Sequence, residues 1–232
     1  MKDLHNHLLY GIDDGSSSIE ESKRILSVLE NEGVKEIVLT PHYIIGTSYK
    51  ANNDSKRKLI DSLKKYTSIK LYLGNEVFLD NGIVECIKNG EISTINNSRY
   101  VLVEFSLNEK MHYVHEMIFE LRRNGYIPII AHPERYLYYK VSDLEKFIDE
   151  GCLFQGNITS LIGRYGNHSK KRLKEMIKKN MISVFGTDYH SSNNINLSDP
   201  LKELKKLVSE ETFNILINDN FDKIINDEEI YE

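Results

Sequence analysis

Asp3-Leu4-His5-Asn6-His7 stands near the start of the chain, and its reading decides the fold. Side chains on an extended segment alternate with period two, so His5 and His7 point to one face and can share a divalent ion. The same pattern returns downstream. His42 ends Leu39-Thr40-Pro41-His42, His132 ends Ile129-Ile130-Ala131-His132, and Asp188 and His190 lie in Gly186-Thr187-Asp188-Tyr189-His190. Each stands just past an apolar, β-branched run.

Working outward, short apolar runs predict strands at Lys2–His5, Glu36–Thr40, Lys70–Gly74, Tyr100–Phe105, Ile127–Ala131, Cys152–Gly156 and Ile182–Gly186. Near-continuous Ile, Val, Leu and Tyr suit parallel strands buried on both faces. Amphipathic stretches lie between them: one opened by a capping box at Ser18 and Glu21 and ending near Gly33, then Ser55–Lys65, Met111–Asn124, Ser142–Glu150 and Ser169–Asn180. This alternation predicts an α/β parallel sheet, closed or nearly closed into a barrel, with a doubly wound open sheet as the alternative. The candidate ligands favour the barrel. His5 and His7 end the first strand, His42 the second, Glu76 the third, Glu104 the fourth, His132 the fifth, and Asp188 with His190 the seventh. An open sheet builds its site at one switch point, whereas a barrel gathers it from many strand ends at the C-terminal face. Residues 1–232 read as one domain, with Asn193–Pro200 a loop and the acidic end Asp219–Glu232 a surface cap or frayed tail.

With a net charge of −5 and a pI near 5.9, the chain lacks the basic face that a nucleic-acid partner requires. The basic stretches Ser169–Lys174 and Lys202–Lys206 read as solvated helix faces. Cys86 and Cys152 are far apart and fit a reduced cytoplasmic protein. No apolar run approaches the roughly 18 residues of a membrane span, and no secretory signal is visible.

His5, His7, His42, His132 and His190, together with Asp14, Glu76, Glu104 and Asp188, exceed what one tetrahedral ion can use. They suit two or three manganese, iron or zinc ions bridged by carboxylates. Such ions lower the pKa of bound water from about 15.7 to about 7, and a pair about 4 Å apart can clamp an in-line displacement at phosphorus. Metal-assisted phosphoester hydrolysis is the chemistry that follows. Arg135 could grip phosphate with its planar fork or pair with Glu134 or another loop carboxylate. His112, His115 and His168 fall outside the strand-end pattern and read as surface or helix-end residues. Neither a Gly-x-Ser-x-Gly elbow nor a Cys-x5-Arg loop is present, so covalent Ser or Cys catalysis has no support.

The order His-x-His, Asp13-Asp14-Gly15, Thr40-Pro41-His42, Gly74-Asn75-Glu76, Glu104-Phe105, His132-Pro133-Glu134-Arg135 and Asp188-Tyr189-His190 resembles the polymerase and histidinol phosphatase (PHP) superfamily. Within it, Gly11–Gly15, Tyr100–Phe105 and Ser160–Gly166 are similar to the bacterial manganese-dependent tyrosine-protein phosphatases of capsule and exopolysaccharide operons. The resemblance implies a distorted (β/α)7 TIM-like barrel with a trinuclear manganese centre. One ion would take His5, His7, Glu76 and Asp188; a second Glu76, Glu104 and His132; a third Asp14, His42 and His190. Asp13 competes with Asp14 for its role. Arg135 would hold the phosphate while activated water attacks phosphorus. The implied partner is a phosphorylated bacterial tyrosine kinase with a Tyr-rich C-terminal tail, so the enzyme would regulate capsular or exopolysaccharide synthesis. The resemblance leads to expect an Arg shortly after Asp188-x-His190, yet Ser191–Asn196 carries no cation, and Arg164 is a candidate replacement. Tyr43, Tyr136, Tyr138, Tyr139 and Tyr189 could line an aromatic rim for the substrate or pack the loops. A small-molecule phosphatase such as histidinol-phosphate phosphatase, or a weakly active kinase-docking protein, are the competing readings.

Overall fold

The computed structural model describes residues 1–191 and 195–230. Its strands are β1 (Lys2–Asn6), β2 (Glu36–Leu39), β3 (His42–Tyr43), β4 (Lys70–Leu73), β5 (Glu76–Phe78), β6 (Tyr100–Glu104), β7 (Ile127–Ala131), β8 (Leu153–Asn157) and β9 (Val184–Gly186). Every pairing between them is parallel. They form two sheets, ordered β1-β2-β4 and β3-β5-β6-β7-β8-β9.

Two predicted strands, Glu36–Thr40 and Lys70–Gly74, each end one residue early and are followed across a two-residue break by a short strand of the other sheet. Thr40-Pro41 separates β2 from β3, where Pro41 has no N–H to donate to a ladder. Gly74-Asn75 separates β4 from β5, and there Ile95 wedges in so closely that a Cβ on Gly74 would stand 2.8 Å from Ile95 Cδ1. The sheet still curls round on itself. Asn6 bridges Tyr189 in parallel, His7 N donates to Tyr189 O (3.1 Å), and Asp188 N donates to His5 O (2.8 Å). The result is a distorted α/β barrel.

Outside it lie α1 (Ile19–Asn31), α2 (Asn53–Leu63), α3 (Ile83–Lys88), α4 (Val114–Arg123), α5 (Val141–Asp149), α6 (Gly166–Lys178), α7 (Ser198–Lys205), α8 (Glu210–Asn214) and α9 (Asn220–Ile225). Ser18 caps α1 as expected, accepting from Glu21 N, but the Glu21 carboxylate reaches Ser17 N and Oγ, so the box is offset by one residue. The expected loop Asn193–Pro200 is shorter than its sequence suggested. Residues 193 and 194 lie outside the described residues, and α7 has begun by Ser198.

The acidic end also differs from a frayed tail. α8 runs through a π-helical turn (Ile215–Asp219) into α9, which inserts Phe221, Ile224 and Ile225 beneath the barrel. There they join Leu4, Val38, Tyr100, Leu102, Ile129, Leu153 and Val184 in one apolar cluster. Strand alternation then sets what lies above this floor. Two residues beyond Leu102 is Glu104, beyond Leu153 are Gln155 and Asn157, and four beyond Val184 is Asp188. The barrel is therefore apolar at the bottom and polar at the C-terminal ends of its strands, the usual place for a barrel's site.

Candidate metal centre

All nine predicted donors are brought together at that end. His5 and His7 do share a face: their Nε2 atoms are 2.9 Å apart, and both side chains are fully buried. Glu76 sits at the middle. Its Oε2 lies 3.0 Å from His5 Nε2, 3.1 Å from His7 Nε2 and 3.2 Å from His42 Nδ1, while Oε1 lies 2.9 Å from His132 Nε2. Glu104 Oε1 is 3.0 Å from His42 Nδ1. Asp14 Oδ1 is 3.4 Å from both His42 Nε2 and His190 Nε2. Asp188 Oδ1 lies 3.5 Å from His5 Nε2 and from His190 Nδ1, and 3.6 Å from His7 Nε2.

Outer contacts fix which nitrogens face inward. Gln155 Nε2 donates to Gly156 O and Asn157 Oδ1, leaving Oε1 to accept from His5 Nδ1 (2.8 Å). Asp13 Oδ2 accepts from His7 Nδ1 (2.9 Å) and from His42 N (3.0 Å). The sequence left Asp13 and Asp14 as rivals; the fold separates them. Asp13 orients His7 from outside the cluster, and Asp14 enters it.

With both Nδ1 positions bonded, the two Nε2 atoms stand 2.9 Å apart and converge on one carboxylate oxygen, Glu76 Oε2, at 3.0 and 3.1 Å. Glu76 Oε2, His42 Nδ1 and His132 Nδ1 are buried without a hydrogen bond. Buried polar atoms left this way are costly, and divalent cations among N and O donors satisfy them. The donor set therefore fits metal ions. Among the described residues three donor groups have atoms close enough for one ion each: His5, His7 and Glu76; His42, Glu76 and Glu104; and His7, Asp14, His42 and His190. The inferred grouping changes in two ways. His42 Nδ1 stands beside Glu76 and Glu104 where His132 was expected, and His132 meets Glu76 from its other oxygen. His7 also reaches toward Asp14's group.

Without metal the charges are held as protons on histidine. Burial alone would lower the His42 pKa, but Glu76 and Glu104 outweigh it and raise it to about 9. The hydrogen bond from His190, with further help from His42 and His7, holds Asp14 down to about 2. Burial opposes ionisation of Glu76 and Asp188, and the surrounding histidines reverse it for both. Metal binding must displace these protons. His132 (φ 36°) and Asp188 (φ 53°) adopt left-handed backbone, which non-glycine residues occupy at a cost and which concentrates at functional sites.

Arg135 is placed at the cluster but is not free. Its Nη1 donates to Asp188 Oδ2 (3.0 Å) and its guanidinium stacks 4.5 Å over Tyr165. The loop-carboxylate pairing considered from sequence is thus realised with Asp188, not Glu134. Glu134 is buried and accepts from Asn157 N and Ser160 Oγ. Arg164 stacks 4.9 Å over the Tyr189 ring. Of Ser191–Asn196, residues 192–194 lie outside the described residues.

Several contributors were missed. No strand-end ligand was assigned to β8, yet its Gln155 and Asn157 steady His5 and Asp188, with Asn157 Nδ2 2.7 Å from Asp188 Oδ2. Amides are weak sequence signals; their alternation with Leu153 on one strand face was the available clue. Arg172, read as part of a solvated face, turns inward from α6 and donates to the carbonyls of Glu134, Tyr136 and Tyr139, bracing the Arg135 loop. Lys56 is wholly buried and its Nζ bonds Asn75 Oδ1; burial lowers its pKa to about 7. Asn75 in turn donates to Pro41 O, tying the turn before Glu76 to the turn before His42. The aromatic rim is also corrected. Tyr43, Tyr136, Tyr139 and Tyr189 are buried and pack the loops, Tyr136 accepting from Phe105 N, and half-buried Tyr138 donates to Ser106 O. His115 pairs with Glu150 and stacks on Phe147, and His112 and His168 are exposed, so all three stay outside the site.

Comparison with known proteins identifies the family. The family model for capsular polysaccharide synthesis proteins CpsB/CapC matches residues 1–226. The putative tyrosine-protein phosphatase CapC of Staphylococcus aureus is 39% identical over 201 residues, covering 84% of this chain and 78% of the relative. The tyrosine-protein phosphatase CpsB of Streptococcus pneumoniae is 29% identical over 202 residues, covering 82% and 83%. Among solved structures, a work on YwqE from Bacillus subtilis and CpsB from S. pneumoniae, described as metal-dependent tyrosine phosphatases, superposes with a TM-score of 0.89 at 24% identity, covering 100% of this chain and 96% of the other. That superposition shows the shared fold.

Proposed function

The chain belongs to the capsular polysaccharide synthesis family CpsB/CapC, and on that basis we propose that it is a metal-dependent protein-tyrosine phosphatase acting on a bacterial tyrosine kinase of a capsule or exopolysaccharide system. The single observation that carries the reading is the convergence of His5, His7, His42 and His132 on the two oxygens of Glu76. Glu76 would then be shared between ions. His5 and His7 with Asp188 would hold one, Glu104 and His42 with His132 at the other Glu76 oxygen a second, and Asp14 and His190 with His42 and His7 a third. We assign manganese, with iron and zinc as competitors of similar ligand preference. Bound ions supply Lewis-acid polarisation of a phosphate group and acidify water.

The protein's own groups do the rest. Asp13 and Gln155 fix the His7 and His5 rings with Nε2 inward. Arg135 is anchored by Nη1 on Asp188, and its remaining N–H groups would be the donors to the phosphate oxygens. A tyrosine leaving group has a pKa of about 10, so it departs with little help from a general acid. Residues 1–232 act as one catalytic domain, working in the cytoplasm on the kinase's phosphorylated tail; among the described residues no helix is long and apolar enough to cross a membrane.

The test uses protein stripped with chelator and reloaded with manganese. It should hydrolyse a phosphotyrosine peptide with a higher kcat/KM than histidinol phosphate, and His5→Ala with His7→Ala should reduce both to background. A reversed preference would assign a small-molecule phosphatase. Absence of turnover at full metal loading would assign a docking protein.

A further inference from the structure

The donor cluster is most open at one edge. Side-chain exposure is 0% at His5 and His7 and 1% at Glu76, 11–12% at Glu104 and His42, but 32% at His190 and 53% at Asp14. A phosphate group arriving at that edge passes over Asp14, His42 and His190. Whatever it is esterified to then lies against the loop that follows His42.

That loop is built to hold one aromatic ring in place. Ile44 N donates to Tyr49 O (2.9 Å), Thr47 N donates to Ile44 O (3.2 Å), and Tyr49 N donates to Thr47 Oγ1 (3.0 Å). Gly46 supplies the left-handed residue of the turn (φ 80°). Tyr49, half-buried, stacks on the His42 ring with centroids 6.0 Å apart and planes at 15°. Among the described tyrosines it alone stacks on a donor of the open edge. An aryl group esterified to a phosphate at His42 would lie on the side of the cluster that Tyr49 borders.

We propose that Tyr49 is the specificity-determining residue of the site: its face receives the aryl ring of the substrate, so aryl phosphates are preferred over alkyl phosphates. The inference rests on the phosphatase reading above and adds the side chain that selects the ester. Tyrosine suits the role because offset ring stacking contributes beyond simple burial.

Non-hydrolysable phenylphosphonate and methylphosphonate, titrated calorimetrically into the manganese-loaded full chain, test it without turnover. Wild type should bind the phenyl compound about tenfold tighter, the order expected of an aromatic pair. Tyr49→Leu, which keeps apolar bulk but loses the flat face, should shrink that ratio to about twofold or less. Tyr49→Phe should keep it, since the ring and not the hydroxyl stacks. A wild-type ratio retained in Tyr49→Leu overturns the inference. So does a proportional loss for both ligands with reduced manganese content, which would make Tyr49 a support for His42. Wild type binding both ligands alike overturns the inference alone, whereas binding neither overturns the phosphatase reading with it.

Discussion

Asp13 and Asp14 are neighbours in one turn, yet they stand in different shells, and exchanging either carboxylate for an amide should separate their roles. Asp13→Asn weakens the carboxylate that orients His7, so manganese affinity should fall about 10- to 100-fold with the number of sites kept. Asp14→Asn should remove the ion at the exposed edge and leave the others, because Asp14 belongs to one donor group only. A manganese titration followed by metal analysis distinguishes a shifted curve from a lowered plateau. The pH behaviour of the stripped protein follows from the same residues. His42 has its pKa raised, so its stabilisation is complete below about 6.5 and is lost as pH rises through about 9. Asp14 has its pKa lowered, so its contribution is present above about 4 and disappears only as pH falls through about 2. Chelator-treated protein should therefore lose several degrees of Tm between pH 6.5 and 9, at about 2–4 °C per kcal/mol. Manganese-loaded protein should show the opposite trend in its stabilisation over the stripped form, because fewer protons compete for the donors. At this scale eight of the nine donors were legible because they stand at or just past the ends of apolar runs, whereas Asp14 lies in a turn and was not separable from Asp13. Gln155, Asn157 and Lys56 were not, since a neutral amide or a helical lysine acquires meaning only from what it meets in space.

Among the elements, α6 shows how a surface helix serves the site. Its Arg172 crosses to three carbonyls of the Glu134–Tyr139 segment, which carries Arg135. Arg172→Ala should cost about 2–3 kcal/mol in urea denaturation, in line with lost charge-assisted bonds, and lower kcat/KM on a phosphotyrosine peptide. Arg172→Lys should recover little, because an ammonium cannot reproduce the planar fork. Full recovery by lysine would show that charge alone matters there. The basic run Ser169–Lys174 concealed this, since helical periodicity assigns a face but not the loop opposite it. Strand reading succeeded for a related reason: β6 and β7 are near-continuous apolar runs, whereas the break at Gly74-Asn75 depends on Ile95, which is distant in sequence.

For the whole molecule, the barrel needs a floor as well as a mouth. α9 provides it with Phe221 and Ile224, both fully buried. Phe221→Ala should cost about 3–5 kcal/mol of stability while leaving the manganese content of the folded protein as it was. Equal loss of both would mean that floor and site are one cooperative unit. Asp, Asn and Glu dominate this end of the sequence and mask three apolar residues that share one helix face, which is why it read as a tail. The closed architecture was legible from the way ligands were dealt out over six strand ends, and it makes one central claim: the polar end of the barrel is a multinuclear metal centre. Metal analysis of chelator-stripped protein after dialysis against manganese tests it most directly. About three ions per chain are predicted, one for each donor group; fewer than two, below the minimum of about two for a clamp on phosphorus, would contradict it.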